Sequence, residues 1–197
     1  LSKKYKITAL CSSRSLSKNN WEGLMEEVLF GDIRDEKIII QLKKKQFDIV
    51  IHLVSLDHHK SEENPNFVSS INVMPTWNLL NELTKNNLSK FLYFSTFHVY
   101  GLTKKNNEEI CELLANNNKG VFIGLRFFTV FGEWGRPDML IYKYLKAIFY
   151  KKEKFYLNNY GNHTRDFTYI GDINKILFRL LKKNISNGHS VFNICSN

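Results

Sequence analysis

The sequence predicts an α/β protein built on a doubly wound parallel sheet, and three observations carry that expectation. Short apolar runs alternate along the chain with longer segments of helical periodicity. The run FDIVIHLVS at 47–55 is apolar without polar alternation, as expected of a strand covered on both faces. Polar residues follow directly after the apolar runs, at the carboxyl ends of strands where such sheets bind ligands.

The elements follow in order. Residues 6–11 (KITALC) read as a short buried strand, followed by a stretch rich in Ser and Asn over 12–20, and 28–30 read as a second strand ending in Gly31-Asp32. Asp35 suits the N-cap of a helix that runs through Leu42 and Lys45. After the strand at 47–55 and a polar loop over 57–65, Phe67, Val68, Ile71, Trp77, Leu79, Leu80 and Leu83 recur at helical spacing. Pro75 inside that pattern predicts a kink or a break. A strand over 90–94 ends in Ser95-Thr96, residues 108–114 are helical, and 121–128 read as another strand. Beyond Gly132 come a helix over 139–150, a short strand at 155–157, the hinge NNYGNHTRDF, and a helix that follows Asp172 and ends near Lys183. No repeat and no long linker interrupts the chain, so one compact unit is expected.

Composition narrows the function. The 197 residues are 43% hydrophobic, enough for one domain with a real core, which excludes disorder, collagen and a disulfide mini-scaffold. A net charge of +9 favours an anionic ligand, a nucleotide or sugar phosphate as well as nucleic acid. No helix-turn-helix, zinc spacing or RNP-like aromatic motif accompanies the charge, so no nucleic-acid partner is expected. Lysine clusters at 43–45, 104–105, 151–152 and 182–183 are expected at solvated helix C-termini. Cys11, Cys111 and Cys195 are too few and too scattered for a disulfide framework or a metal site, which points to a reduced, cytoplasmic protein. His58 and His59 diverge as adjacent side chains and read as surface loop. No run of eighteen apolar residues exists, so no membrane partner is expected. The chain begins at Leu1 and stops after a strand-like run, and both ends look cut.

Four strand ends carry candidate chemistry: Gly31-Asp32-Ile33, Leu53-Val54-Ser55, Ser95-Thr96 with Tyr100, and Thr129 to Gly132. Singly, each also has a local explanation as a turn cap or a satisfied carbonyl. Sharper is Tyr100-Gly101-Leu102-Thr103-Lys104, which on a helix sets a phenol and an ammonium on one face. The lysine charge favours the phenolate and makes the oxygen a usable acid and base at a carbinol or carbonyl, with Thr96 able to share the proton.

The blocks GDIRD (31–35), DIVIHLVS (48–55), SSINVMPTWNLL (69–80), KFLYFSTFHVYG (90–101), GLRFFTVFGEWGRPDM (124–139) and TRDFTYIGDI (164–173), in that order, resemble the extended short-chain dehydrogenase/reductase family. Within it the chain looks most like NAD-dependent nucleotide-sugar epimerases and dehydratases. The late blocks are similar to the UDP-glucuronate 4-epimerase branch. The resemblance implies a Rossmann-like fold with a partial NAD(P)-binding domain over 1–130 and a partial substrate-binding segment over 131–197. It implies that Asp32 and Ile33 hold the adenine, that Leu53, Val54 and Ser55 line the dinucleotide, and that Asn72 supports the site. It makes Thr96, Tyr100 and Lys104 catalytic, the last two also touching the cofactor, and it packs Phe127 on the nicotinamide. Thr129, Arg136 and Arg165 fall at substrate-side positions, Arg165 facing a nucleotide diphosphate, for which a guanidinium fork is suited. The implied reaction passes through a transient 4-keto sugar, with a UDP-sugar as substrate and NAD as hydride carrier. A homodimer through the Trp77 helix and the helix at Glu108 is implied as well.

Three departures from the family pattern qualify this. No Gly-rich turn precedes Lys6, so the strand at 6–11 matches the family's second strand, the first βα unit is incomplete, and a sheet edge is expected to be bare. Cys11-Ser12-Ser13-Arg14 carries no acid for a ribose hydroxyl, while Arg14 suits a 2′-phosphate, so NAD and NADP both stay open. One Tyr100-Gly101 completes two family sites at once, as expected of an internal deletion that fused them. An inactive remnant and an NAD(P)-binding regulatory protein of the same fold are the alternatives.

Overall fold

In the computed structural model, which describes residues 3–12, 23–56, 64–96, 101–150 and 155–196, strand β1 (Thr8–Cys11) lies parallel to β2 (Glu27–Phe30), Thr8 opposite Glu27 and Cys11 opposite Phe30. Helix α1 (Glu36–Lys44) starts where Asp35 accepts the Lys37 N–H at 2.9 Å and buries Ile38, Ile39 and Leu42 along one stripe. Lys43 and Lys44 fill its last turn, where the carbonyl ends favour cations. Strand β3 (Ile49–His52) runs parallel to β4 (Lys90–Thr96), with His52 opposite Tyr93.

The long helical pattern divides as the proline predicts. α2 (Pro65–Asn72) ends at Asn72, and α3 (Met74–Leu83) begins with Pro75 in its first turn, the one place in a helix where a missing N–H costs nothing. α4 (Gly101–Asn117) leads into β5 (Val121–Phe127), β6 (Thr129–Phe131), α5 (Leu140–Tyr150), β7 (Phe167–Tyr169), α6 (Ile170–Lys182) and β8 (Gly188–Ile194). The strands form three hydrogen-bonded groups: β1-β2, then β3-β4-β5-β8, then the parallel pair β6-β7.

Contacts divide the chain into two compact units, Leu1–Leu125 with Asn184–Phe192, and Arg126–Lys183 with Asn193–Asn197. In the first, Phe91 stacks on Tyr93 at 6.1 Å between centroids and meets Phe122 at a tilt at 6.4 Å, in one core with Leu79, Leu80 and Leu83 of α3 and Ile38, Ile39 and Leu42 of α1. Leu10 and Leu29 from one sheet and Val50 from the other pack against this same core. Among the described residues, the first two strands and the remaining sheet thus share a core without sharing a ladder. β1 is half-buried throughout and β3 everywhere but His52, whereas β4 buries all but Phe94 and Thr96.

Three local expectations change. The strand predicted at 155–157 does not form: Phe155 packs its ring on Tyr144 at 5.4 Å, Tyr156 and Leu157 are exposed, and left-handed Asn159 and Tyr160 turn the chain at once. The helix predicted over 108–114 begins at Gly101, because its first turns bury polar rather than apolar residues. Consequently Lys104 is not a solvated helix-end lysine, while Lys43 to Lys45 and Lys182 with Lys183 do sit at helix ends. Among the described residues, no helix is long and apolar enough to cross a membrane. His58, His59, Arg14, Lys151 and Lys152 lie outside the described residues.

Candidate active site

Where β3 ends, the backbone of Leu53 to Leu56 is held from two sides. Asn72, fully buried at the end of α2, accepts the Leu56 N–H at 2.8 Å and donates to the Leu56 carbonyl at 3.3 Å and to Thr103 Oγ1 at 3.2 Å. From the first turn of α4, Lys104 Nζ donates to the Val54 carbonyl at 3.1 Å. The loop at the strand's carboxyl end is therefore held at Val54 and Leu56, while Leu53 before them and Ser55 between them are exposed, Ser55 bonding the Leu56 carbonyl.

The break between α2 and α3 frees the Asn72 carbonyl, and two side chains take it. Thr76 Oγ1 and Asn107 Nδ2 each donate to it at 2.9 Å. His52 Nε2 lies 2.8 Å from the same Thr76 oxygen. Since the hydroxyl's single proton is committed to Asn72, Nε2 carries the hydrogen and donates. Asn107 Oδ1 is buried and has no partner among the described residues.

Burial dominates the electrostatics. It pushes the Lys104 ammonium down to about 8. Burial also holds the His52 imidazole neutral, with the neighbouring lysine charge adding to it, so that its pKa falls to about 3. A histidine protonated when unfolded and neutral when folded makes the chain lose stability as the pH falls from 6.5 toward 3.

Thr96, the last residue of β4, stands half-buried on the strand next to β3. Beside it Ser95 Oγ donates to Glu108 Oε1 at 2.6 Å, tying the strand end to α4 one turn beyond Lys104. Tyr100, the proposed partner of Lys104, lies outside the described residues. The structure thus gathers Val54, Asn72 and Lys104, with Leu53 and Ser55 on the same loop.

Asp32 is exposed after β2 and held by its own neighbour, Arg34 Nε and Nη2 donating to its two oxygens at 2.9 and 2.6 Å, while Ile33 turns into the core. Phe127, Thr129, Arg136 and Arg165 belong to the second unit. There Thr129 opens β6, Arg136 pairs with Asp138 at 2.5 Å, and exposed Arg165 bonds the Thr164 carbonyl at 3.1 Å. Asp166 and Asp172 are engaged by Thr168 and Lys175.

Sequence reasoning missed His52, Thr76, Thr103, Asn107 and the Ser95–Glu108 pair. One signal for them was present: Lys104, Asn107 and Glu108 stand at i, i+3 and i+4, the spacing of one helix face, on a segment read only from its apolar residues.

The sequence profile of the NAD dependent epimerase/dehydratase family matches residues 1–112 and 98–195, so the segment 98–112 is matched twice. UDP-glucuronate 4-epimerase 4 of Arabidopsis thaliana is 35% identical over 75% of this chain and 40% of its own length. An uncharacterized protein of Methanocaldococcus jannaschii is 33% identical over 84% of this chain and 56% of its own. Among solved structures, the UDP-glucuronic acid 4-epimerase of Bacillus cereus in complex with UDP-glucuronic acid and NAD superposes with a TM-score of 0.74 at 27% identity, covering 86% of this chain and 60% of that one. The chain spans about half the length of the curated relatives it matches. With nearly every residue inside the matched stretches and the parallel α/β architecture in agreement, the chain belongs to the NAD dependent epimerase/dehydratase family.

Proposed function

We propose that this chain carries the dinucleotide-binding and acid–base part of an NAD-dependent epimerase or dehydratase acting on a nucleotide-sugar, a UDP-sugar above all. The observation that carries the reading is the buried ammonium of Lys104, fixed on the Val54 carbonyl at the carboxyl end of β3, one strand from Thr96. Relatives named as UDP-glucuronate 4-epimerases support it, as does a neighbour solved with UDP-glucuronic acid and NAD.

The residues present fit the two ends of NAD: an exposed carboxylate at Asp32 for the adenosine and the exposed Leu53–Ser55 backbone, held at Val54, with Lys104 for the nicotinamide ribose. No residue here is assigned to the pyrophosphate. Bound there, NAD would accept a hydride from the sugar carbon and later return it. Lys104, charged below pH 8, stabilises the Tyr100 phenolate, which takes the sugar hydroxyl proton, and Thr96 shares that proton. Asp32 exchanges part of its pairing with Arg34 for the cofactor. We assign residues 1–130 to the dinucleotide and 131–197 to the substrate, with Ile33 and Phe127 against the cofactor rings and Thr129, Arg136 and Arg165 facing the nucleotide-sugar. The protein works in the cytoplasm as a homodimer through α3 and α4, where Met74, Leu102 and Leu113 are 55%, 69% and 54% exposed.

A second reading, an NAD(P)-binding remnant or regulator without turnover, draws on two observations. Among the described residues β1-β2 share no ladder with the rest of the sheet, and the segment holding Tyr100 and Lys104 answers to the family profile twice, as a fusion of two sites would. Incubation with NAD and UDP-glucuronate, followed by chromatography of the nucleotide-sugars, separates the two. Conversion to the 4-epimer, weakened about tenfold in apparent substrate affinity by Arg165→Ala, supports the enzyme. Absence of any new nucleotide-sugar or 4-keto product supports the remnant.

A further inference from the structure

His52 is a titratable side chain that the proposed chemistry leaves unused. It is 4% exposed on β3, stacked on Phe91 at 5.8 Å, and faces Thr76 of α3 through its Nε2. Placing an imidazole in an otherwise apolar run costs stability unless its hydrogen bond is made. That bond starts a chain with one direction: His52 Nε2–H to Thr76 Oγ1, then the Thr76 proton to the Asn72 carbonyl, which Asn107 Nδ2 approaches from α4. The side chain of Asn72 meanwhile holds Thr103. Thr103 and Asn107 flank Lys104 by one residue and by one turn, so two of the holds on the lysine-bearing turn pass through Asn72, beside the Ser95–Glu108 tie further along α4.

We propose that His52 is a positioning residue for Lys104, acting through Thr76 and Asn72 to fix the turn of α4 that presents the ammonium to the loop after β3. Its donor sets which way the Thr76 hydroxyl points. Without that donor the hydroxyl is free to turn from Asn72, the Asn72–Asn107 contact loosens, and water reaches Lys104. After burial, the charge of Lys104 is the second cause that lowers the His52 pKa.

The proposal rests on Lys104 as half of the acid–base couple, but its test needs neither cofactor nor sugar. The test is the pH titration of the Lys104 side chain followed by ¹³Cε NMR, with the signal assigned by its loss in Lys104→Met, for the full chain and two variants. The unmodified chain should show a midpoint near 8. His52→Phe keeps the ring and loses the donor, and should move the midpoint up by about one pH unit as Lys104 gains water. His52→Gln offers an amide N–H near the place of Nε2 and should return the profile close to the original. A His52→Phe midpoint that does not move in a cooperatively folded chain overturns the proposal, as does an equal shift in both variants. Should His52→Phe fail to fold, Thr76→Val removes the bridging hydroxyl alone and is held to the same upward shift.

Discussion

Lys104→Met is expected to lower sugar-nucleotide turnover by about 10²- to 10⁴-fold, the range for loss of a group that sustains general acid–base catalysis, while the chain stays folded. The buried amine donates to the Val54 carbonyl, and burial has brought its pKa down from 10.5 to about 8. Because the folded pKa lies below the unfolded one, the unfolded chain binds more protons between pH 8 and 10.5, and stability rises with pH across that window. Below pH 8 keeping the buried amine charged costs about 3 kcal/mol net. Thermal melts at pH 7 and pH 10 should therefore show the unmodified chain gaining on the variant at the higher pH. A variant with the same pH slope as the parent would mean that Lys104 is solvated, and with it the site geometry would be wrong.

Gly124→Ala should lower stability by about 2–3 kcal/mol, on the scale of overpacking a filled core. A Cβ at Gly124 would lie 2.5 Å from the Tyr93 hydroxyl oxygen and 2.7 Å from its Cζ. Tyr93 cannot yield easily: it is 1% exposed, and its hydroxyl bonds His189 Nε2 at 2.7 Å. The glycine on β5 is what lets a ring on β4 reach a ring on β8 across the strand between them. Differential scanning calorimetry should show a drop of about 5–10 °C for a domain of this size, partly recovered when Tyr93→Phe is added. An unchanged melting temperature would place the Tyr93 ring elsewhere.

The legible parts of this fold were those in which one residue type has one use. Asp35 before an apolar stripe is a cap, Pro75 inside a helical pattern is a break, and both are found where the sequence puts them. The apolar runs at β4 and β5 are buried over most of their length, as strands covered on both faces should be, whereas the run at β3 beside them is only half-buried apart from His52. The site was harder to read because its helix inverts the usual rule. The buried face of α4 near its start is Lys104, Asn107 and Glu108, so periodicity of apolar residues reveals the helix only from Glu108 onward, and the Lys104-Lys105 pair reads as a solvated end. Asn72, Thr76 and His52 complete that face from three different elements, and no spacing along the chain announces such a convergence. β7 was hidden for a simpler reason: three residues that begin at the last position of a polar hinge carry no period. Asp32 illustrates a further limit, since its pairing with Arg34 two residues on is local and invisible in a pattern of strand ends.

The central claim is that these residues form a dinucleotide site, and a fluorescence titration of the purified chain with NADH tests it most directly. The account predicts saturable binding in the micromolar range, weakened about tenfold by Asp32→Ala. A cooperatively folded chain whose nicotinamide signal never saturates would contradict it, and would leave family membership without a working cofactor site.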